Sequence, residues 1–274
     1  MIYHTPQMRT VAEELVALQR APREIAPFTA DRPDLTAEEG YAAARVLHQY
    51  RLDAGWRPLG RKIGFTNRTI WPRYGVYEPI WGWVYDQTLI EATAANSARV
   101  PLAGLVNPRI EPEICFGLRQ PIPTSAAHDP AQLLAAIEWV AHSVEIVQSY
   151  FPEWKFRLAD CTAVNGLHAR LVVGTRHQVA HIADLAERLP EVEVVLRSGD
   201  QEVDRGTGVN VLGSPLLALG HLVDSLANQP WAALRAGEVV TTGVITDAHP
   251  VAAGERWSTD IRGLPLEGLT LEFA

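Results

Sequence analysis

Two glutamates one residue apart form the pair whose type and spacing best suit chemistry. Glu111 and Glu113 lie in residues 106–118, which the surrounding apolar residues predict to be a strand. Side chains at positions i and i+2 of a strand leave the same face, so both carboxylates should enter one space with their Cα atoms about 7 Å apart. Like charges at that range are costly unless a cation lies between them. The alternative is an exposed polar face, which the apolar residues that follow disfavour.

A third carboxylate, Glu145, stands in the otherwise apolar run 144–147, where a buried charge needs a partner. Three hard oxygen ligands suit Mg²⁺ or Mn²⁺ better than zinc, for which histidine and cysteine are the expected ligands. Three protein ligands leave open positions on an octahedral ion, and the carboxylate and keto oxygens of a 2-oxo acid can fill two of them. Lys62 and Arg109 offset the negative charge. These residues together predict a divalent metal site.

Composition narrows the remaining functions. The 274 residues carry a net charge of −8 and no basic cluster, which argues against a nucleic-acid partner. Cys115 and Cys161 are the two cysteines and form no CxxC motif, so we expect a reduced, cytoplasmic compartment. Residues 1–6 lack a basic region followed by an apolar run, and no later run has the apolar length of a membrane span. We therefore expect neither export nor membrane association.

The order of patterns predicts two parts. Apolar spacing predicts a helix over residues 8–19, and a capping box from Thr36 to Glu39 predicts a second helix. Residues 1–57 are thus predicted to be a helical region packed on the core, and residues 58–274 a catalytic domain.

Within the second part, turn residues and apolar runs predict most elements. Pro112 predicts that the strand with the glutamates is an edge strand or carries a bulge, because proline cannot donate to a sheet ladder. The aromatic segment 70–83 is either a lid or pocket wall or an oligomer contact. The other predictions are a strand at 60–67, a helix from Pro130 to about His142, a strand at 171–174, a hairpin over 191–203, a helix from Ser214, and strands at 239–243, 257–261 and 269–273.

At this point six motifs in register carry a resemblance to a known family. The sequence resembles the 2-keto-4-pentenoate hydratase and 4-oxalocrotonate decarboxylase group of the fumarylacetoacetate hydrolase superfamily, from the second predicted helix onward. The motifs are GRKIGFT at 60–66, EPEI at 111–114, VEIV at 144–147, Trp154-Lys155 with Asp160, VLGSP at 211–215 and TTG at 241–243.

The resemblance implies an α+β fold, a mixed β-roll with an N-terminal helical region, that forms homo-oligomers and holds a divalent metal on the three glutamates. Lys62 matches the family's active-site lysine, and Asp86 and Asp160 match acidic pocket positions with acid/base or orienting roles. A turn aspartate and a capping aspartate are the structural alternatives for those two. The positions that the resemblance assigns to substrate binding are Arg109, Lys155, Asn165 and His168.

The implied reaction adds water to a 2-hydroxy-2,4-dienoate and gives a 4-hydroxy-2-oxo acid during the breakdown of aromatic compounds. Three positions depart from the family pattern: Gln148 and Val164 replace aspartates, and Leu167 replaces a small hydroxyl residue. These changes keep three alternatives open, namely decarboxylation of a 2-oxo acid, C–C bond hydrolysis, and a catalytically silent or ligand-binding subunit. Association with another enzyme of the pathway is a further expectation.

Overall fold

Two β-sheets carry the fold, and helices flank them. The computed structural model describes residues 6–227 and 229–274. Residues 1–5, on which the expectation about export partly rests, lie outside the described part. The helices are α1 (Pro6–Arg20), α2 (Phe28–Asp31), α3 (Ala37–Asp53), α4 (Trp71–Tyr74), α5 (Pro130–Ala135), α6 (Leu158–Ala163), α7 (Leu185–Arg188) and α8 (Pro215–Leu226). The strands are β1 (Pro58–Gly64), β2 (Ile80–Tyr85), β3 (Leu89–Glu91), β4 (Ser97–Val100), β5 (Arg109–Leu118), β6 (Ile137–Val147), β7 (His168–Val173), β8 (His177–Gln178), β9 (Glu193–Ser198), β10 (Gln201–Thr207), β11 (Val239–Thr241), β12 (His249–Pro250), β13 (Arg256–Arg262) and β14 (Thr270–Phe273).

Both sheets mix parallel and antiparallel pairs. The larger sheet has the order β2-β1-β11-β5-β6-β7-β3, with β12 paired to β5 and β8 to β6. Its parallel pairs are β1 with β11 and β3 with β7. The smaller sheet has the order β10-β9-β13-β14-β4, in which β14 and β4 are parallel. Mixed sheets with separate helices form an α+β fold, as predicted.

The N-terminal helices pack on this core. The capping box predicted for α3 is present, because Thr36 Oγ1 accepts from the Glu39 N–H at 3.2 Å and the Glu39 carboxylate accepts from the Thr36 N–H at 2.9 Å. Farther along α3, Tyr41 stacks on Trp81 of β2 with ring centroids 5.0 Å apart. The division between residues 1–57 and 58–274 stays a prediction.

The prediction of a helix that extends to about His142 is wrong beyond residue 135. Asp129 does cap α5, but α5 ends at Ala135 and the chain from Ile137 to Val147 is strand β6. β6 pairs with β5 along its whole length, and this pairing overrides a local spacing that would also suit a helix. Helix α8 and the β9–β10 hairpin form where they were predicted.

Pro112 lies in the middle of the larger sheet, so the edge prediction is wrong, and the register shift that β5 does have lies between Gly117 and Leu118 rather than at Pro112. β6 pairs with β5 on one side without a register shift at Pro112. On the other side, β12 pairs with Arg109 and Ile110, and β11 pairs with residues 115–117. Pro112 falls in the gap between these two partners, where no ladder N–H is required.

One helical stretch of the described residues, Gly208–Leu226, is long and apolar enough to span a membrane by length and composition. However, 61% of it is buried inside the molecule. Leu216, Leu219 and Leu222 of α8 lie in the main hydrophobic cluster. These contacts are those of a core helix.

Candidate active site

The sheet register brings the three glutamates together. Glu111 on β5 lies directly opposite Glu145 on β6, and Glu113 follows two residues later on the same face. One carboxylate oxygen from each glutamate lies within 4.8 Å of the others. Two of the three are fully buried, while Glu111 keeps partial exposure because it lines a cavity.

The environment of these carboxylates fits a hard divalent cation. Glu113 Oε1 and Glu145 Oε2 are buried without a hydrogen-bond partner, which is costly for charged oxygens unless a cation binds them. Burial and then the charges of Glu145 and Glu111 raise the pKa of Glu113 well above its usual range. Burial, with the charge of Glu145, raises the pKa of Glu111 to about 7, against the effect of Lys62. A bound cation would offset each of these costs.

Glu113 is held in place by the end of β11 and the residues just after it. Its Oε2 accepts from the Gly243 N–H at 2.9 Å and from the Thr241 hydroxyl. Gly243 has a φ of 103°, and a Cβ there would lie 1.8 Å from Thr66 Oγ1. Only glycine fits at this position. The TTG motif thus holds the carboxylate of Glu113, a candidate metal ligand.

Glu145 is fixed from the β7 side by His168. His168 Nδ1 lies 2.7 Å from Glu145 Oε1, and its Nε2 lies 2.9 Å from Thr88 Oγ1. An ionised carboxylate only accepts, so Nδ1 carries the proton of that hydrogen bond. Both ring nitrogens therefore have protein partners, and His168 orients a candidate metal ligand. Its predicted role in substrate binding stays a prediction.

Lys62 on β1 is the cation of the site. Its side chain is buried, and Nζ lies 3.1 Å from Glu145 Oε2, an ion pair without hydrogen-bond angles. Burial alone would lower the pKa of Lys62, but Glu145, Glu111 and Glu113 outweigh it and raise the pKa above its ordinary value. The ammonium is therefore charged at neutral pH.

A cavity connects this charged end to an apolar wall. Lys62 and Glu111 line the charged end. Arg73 and Asp247 also line the cavity, and they pair with each other at 3.6 Å. The side chains that we call the apolar wall are Phe65, Ile70, Tyr74, Val147, Trp154, Phe156, Leu167 and Val244.

The predicted aromatic segment divides between two roles. Ile70 and Tyr74 line the cavity, as the pocket-wall interpretation requires. Trp81 and Trp83 instead lie on β2 in the main hydrophobic cluster. Arg109 supports the wall, because its Nη1 donates to the Tyr74 hydroxyl at 2.9 Å and its guanidinium lies 4.2 Å from the Trp154 ring centre.

The two predicted acid/base aspartates have structural partners instead. Asp86 sits at the turn after β2 and accepts from the Arg57 N–H and side chain, both at 3.0 Å. Asp160 is buried near the start of α6 and accepts from Thr29 and from the Arg157 N–H. Neither side chain lines the described cavity. These contacts fit the turn and capping alternatives, and the acid/base roles of the two aspartates stay a prediction.

Two predicted substrate-binding residues also lie outside the described cavity lining. Lys155 is exposed and pairs with Glu153. The Asn165 amide accepts from the Trp83 N–H at 2.8 Å and donates to the Trp83 carbonyl at 3.0 Å. Asn165 therefore connects the segment before β7 to β2. The two residues that follow it, Gly166 and Leu167, line the cavity.

The departures from the family pattern have different consequences. Gln148 is buried, accepts from the Val106 N–H at 3.1 Å and donates to the Tyr150 hydroxyl at 3.2 Å, so it holds a loop. Val164 packs in a hydrophobic cluster. Leu167 faces the cavity with a φ of 66°, and it makes the wall more apolar than a hydroxyl residue would.

Fold and site together define a class: an α+β protein with mixed sheets whose three glutamates can hold a divalent cation beside a small-molecule cavity. No family model matches the chain. A 2-hydroxyhexa-2,4-dienoate hydratase of Comamonas testosteroni is 32% identical over 261 residues, 94% of each protein. A 4-oxalocrotonate decarboxylase of a Pseudomonas species is 32% identical over 235 residues, 84% of this chain and 85% of that one.

Solved structures agree with these relatives. The 4-oxalocrotonate decarboxylase from Pseudomonas putida G7, complexed with magnesium and adipate, superposes with a TM-score of 0.87 at 26% identity, covering 98% of this chain and 97% of that one. A fumarylpyruvate hydrolase from Pseudomonas aeruginosa, with Mn²⁺ and pyruvate, shares the fold at a TM-score of 0.58 and 13% identity, covering 80% of this chain and 89% of that one. The chain belongs to the 2-keto-4-pentenoate hydratase and 4-oxalocrotonate decarboxylase group of the fumarylacetoacetate hydrolase superfamily.

Proposed function

We propose that this protein is a metal-dependent hydratase that adds water to a 2-hydroxy-2,4-dienoate and releases a 4-hydroxy-2-oxo acid in aromatic-compound breakdown. The observation that carries the proposal is one cavity with a buried lysine and a carboxylate at one end and an apolar wall at the other. The charged end suits the acid group of such a substrate, and the wall suits its hydrocarbon tail.

Glu111, Glu113 and Glu145 would hold the ion, which we propose to be Mg²⁺ or Mn²⁺. Their unpartnered buried oxygens support this assignment, and related structures are complexes with magnesium and with Mn²⁺. When bound, the ion would supply Lewis-acid polarisation of substrate oxygens.

Lys62 would bind the anionic substrate and hold a proton at Nζ for transfer to the dienoate. Its burial strengthens the attraction to a carboxylate. Glycines leave room beside it, since a Cβ on Gly64 would lie 3.0 Å from Nζ and a Cβ on Gly166 would lie 3.3 Å from Lys62 Cδ.

Decarboxylation is the second candidate, because a relative and a solved structure are 4-oxalocrotonate decarboxylases. Such a substrate carries a second carboxylate, which needs a second cation in the cavity. Besides Lys62, the cation of the described lining is Arg73, and Asp247 already pairs with it. The apolar wall therefore favours the hydratase. The intact set of carboxylates and Lys62 argues against a silent subunit.

We also propose a cytoplasmic homo-oligomer. Both cysteines are unpaired and buried, which suits a reducing compartment. Sedimentation of the purified protein would give the subunit number.

The test follows the ultraviolet band of freshly generated 2-hydroxypenta-2,4-dienoate and of its six-carbon homologue. We expect the band to disappear only with divalent metal and wild-type protein, and to persist with chelator or with Glu113→Ala. Mass spectrometry should find a 4-hydroxy-2-oxo acid. Release of CO₂ from 4-oxalocrotonate, without turnover of either dienoate, would instead establish the decarboxylase.

Leu167→Ser tests the role of the apolar wall. We expect this variant to lose preference for the six-carbon over the five-carbon dienoate by roughly 3- to 10-fold, the value of about one buried methylene. Val164→Ala is the matched control. Val164 lies three residues before Leu167 and is also buried, but it does not line the cavity. Equal preference in wild type and Leu167→Ser would contradict this role.

A further inference from the structure

A second cavity of about 310 Å³ lies between the N-terminal helices and strand β7. The polar residues that line it come from α1, α3, the turn before β3, the loop after β6, and β7, and they are Gln19, Arg51, Thr88, Gln148, Tyr150, His168 and Arg170. None of its described lining residues lines the cavity beside the glutamates. The two cavities are therefore separate sites.

This cavity carries positive charge without a matching carboxylate. Two arginines, Arg51 and Arg170, line it, and its described lining contains no aspartate or glutamate. Neither arginine has an ion pair within the described part of the chain. Arg61, the other buried arginine of the described residues, differs because it pairs with Glu238. Two unneutralised guanidinium groups at a shared cavity are unfavourable unless an anion or solvent compensates them.

Arg51 is held in place but not fully satisfied. Its side chain is 7% exposed, and Nη2 donates to Gln19 Oε1 at 2.8 Å. Its guanidinium lies 5.0 Å from the centre of the Trp56 ring. Nη1 is buried without a hydrogen-bond partner. A buried donor without an acceptor is costly, so the protein leaves this guanidinium incompletely satisfied, and an anion at its cavity side would offset part of that cost through its charge.

Arg170 brings the second guanidinium. It is partly buried, and Nη1 donates to the Ala169 carbonyl at 2.8 Å, which leaves other N–H groups for a ligand. Burial and the nearby charge of Arg51 lower the pKa of Arg170. The two guanidiniums thus act on each other electrostatically, and an anion between them would relieve that repulsion.

We propose that this cavity is a binding site for a small oxyanion, a carboxylate or a phosphate, recognised by Arg51 and Arg170. Guanidinium groups match the paired oxygens of both anions, and the amides of Gln19 and Gln148 and the Tyr150 hydroxyl provide further polar contacts. One residue links this cavity to the candidate metal site, because His168 lines the cavity and also hydrogen-bonds Glu145. The inference does not depend on the proposed reaction.

Isothermal titration of the purified full-length protein with chelator present tests the site, since metal-dependent anion binding is then absent. The probes are inorganic phosphate in one arm and succinate in the other, and the tighter one identifies the preferred oxyanion. We expect saturable binding with one anion per chain. Arg170→Gln and Arg51→Lys should each weaken it at least tenfold, since each removes part of a charge-assisted contact.

Arg176→Gln is the matched control, because Arg176 also stacks on a tryptophan, Trp139 at 4.5 Å, but does not line the cavity. It should bind the anion as wild type does. Thermal unfolding of each variant without anion checks that Arg51→Lys still folds, and Arg170→Gln provides the test if it does not. Lack of saturation by either anion up to about 10 mM, or wild-type affinity in Arg170→Gln, would overturn the proposal.

Discussion

Arg61 and Lys62 are consecutive buried cations on β1, and they lie on opposite faces of the larger sheet. Their exposed fractions are 0% and 2%, so burial does not distinguish them. Successive side chains of a strand alternate between faces, and each cation therefore meets a different set of partners. The two faces show what separates a structural buried charge from a functional one.

On its face, Arg61 has partners for both terminal nitrogens, while its Nε is buried without a hydrogen-bond partner. It donates to the Gly60 carbonyl at 3.0 Å and to the Ala232 carbonyl at 2.8 Å, and Glu238 lies 3.4 Å away. The guanidinium lies 3.2 Å from the centre of the Trp83 ring. Burial lowers the pKa of Arg61 to about 10, and Glu238 opposes that shift. One cation with one counter-charge and several acceptors is a structural arrangement.

On the other face, Lys62 is one cation among three carboxylates. Two buried carboxylate oxygens there have no hydrogen-bond partner, although Lys62 Nζ lies 3.1 Å from Glu145 Oε2. Among the described residues, Lys62 and Arg109 offset part of the negative charge, but they are fewer than the three carboxylates. An excess of charge of one sign, rather than burial itself, therefore identifies the functional face, and four predictions test this difference.

The largest effect is expected for Glu113→Gln. Divalent metal affinity should fall more than roughly 100-fold, beyond what loss of an outer partner of a metal ligand costs. The metal-free variant should unfold at the same or higher denaturant concentration than metal-free wild type, because a repelled buried charge is gone. Titration with Mn²⁺ and urea unfolding with chelator measure the two quantities. Glu238→Gln, on the Arg61 face, is the control and should keep wild-type metal affinity.

Arg61→Met should destabilise the protein by about 3 kcal/mol, because it removes paired donors and leaves Glu238 without its counter-charge. Metal affinity of the folded variant should not change. Urea unfolding measures the first quantity and Mn²⁺ titration the second. A large loss of metal affinity would contradict the comparison, because it would mean that the two faces of the sheet are not independent.

His168→Phe should lower metal affinity by roughly 10- to 100-fold, the usual cost of removing a partner that orients a metal ligand. Thr88→Val should act in the same direction and less strongly, since it removes the bond to the other ring nitrogen. Mn²⁺ titration of both variants tests this order. An unchanged affinity in His168→Phe would show that Glu145 is positioned by the sheet alone.

The smallest effect concerns His48, which stacks on Trp83 at 4.1 Å on the Arg61 face. Burial, with the charges of Arg61 and Arg51, lowers the pKa of His48 to about 4. The unfolded side chain has a pKa of about 6.5, so between these values the unfolded state binds more protons. Stability from this group is therefore complete above about pH 6.5 and decreases as the pH falls toward 4.

His48→Gln should remove that decrease. Urea unfolding of wild type and variant at about pH 7 and pH 5 gives the difference, which isolates His48 from the carboxylates that titrate in the same range. A pH dependence that is equal in both proteins would mean that folding does not change the pKa of His48.

Local sequence patterns were sufficient to predict several parts of this molecule. The spacing of Glu111 and Glu113 places both on one face because strand periodicity is a property of the backbone. The capping box before α3 and the Ser214 cap of α8 depend on residues three positions apart or fewer. The fold class followed from six motifs in register, which together specify a whole-chain resemblance.

Which groups meet across the sheet could not be predicted from local sequence and depends on the tertiary structure. Glu145 faces Glu111 because β6 pairs with β5 in one register, and the same pairing turned a predicted helix into a strand. His168 meets Glu145, and Asp160 meets Thr29, through contacts between residues far apart in sequence. The cavity with Arg51 and Arg170 likewise needs helix and strand to pack together. Such contacts arise from burial and strand pairing over the whole chain, which no short window of sequence contains.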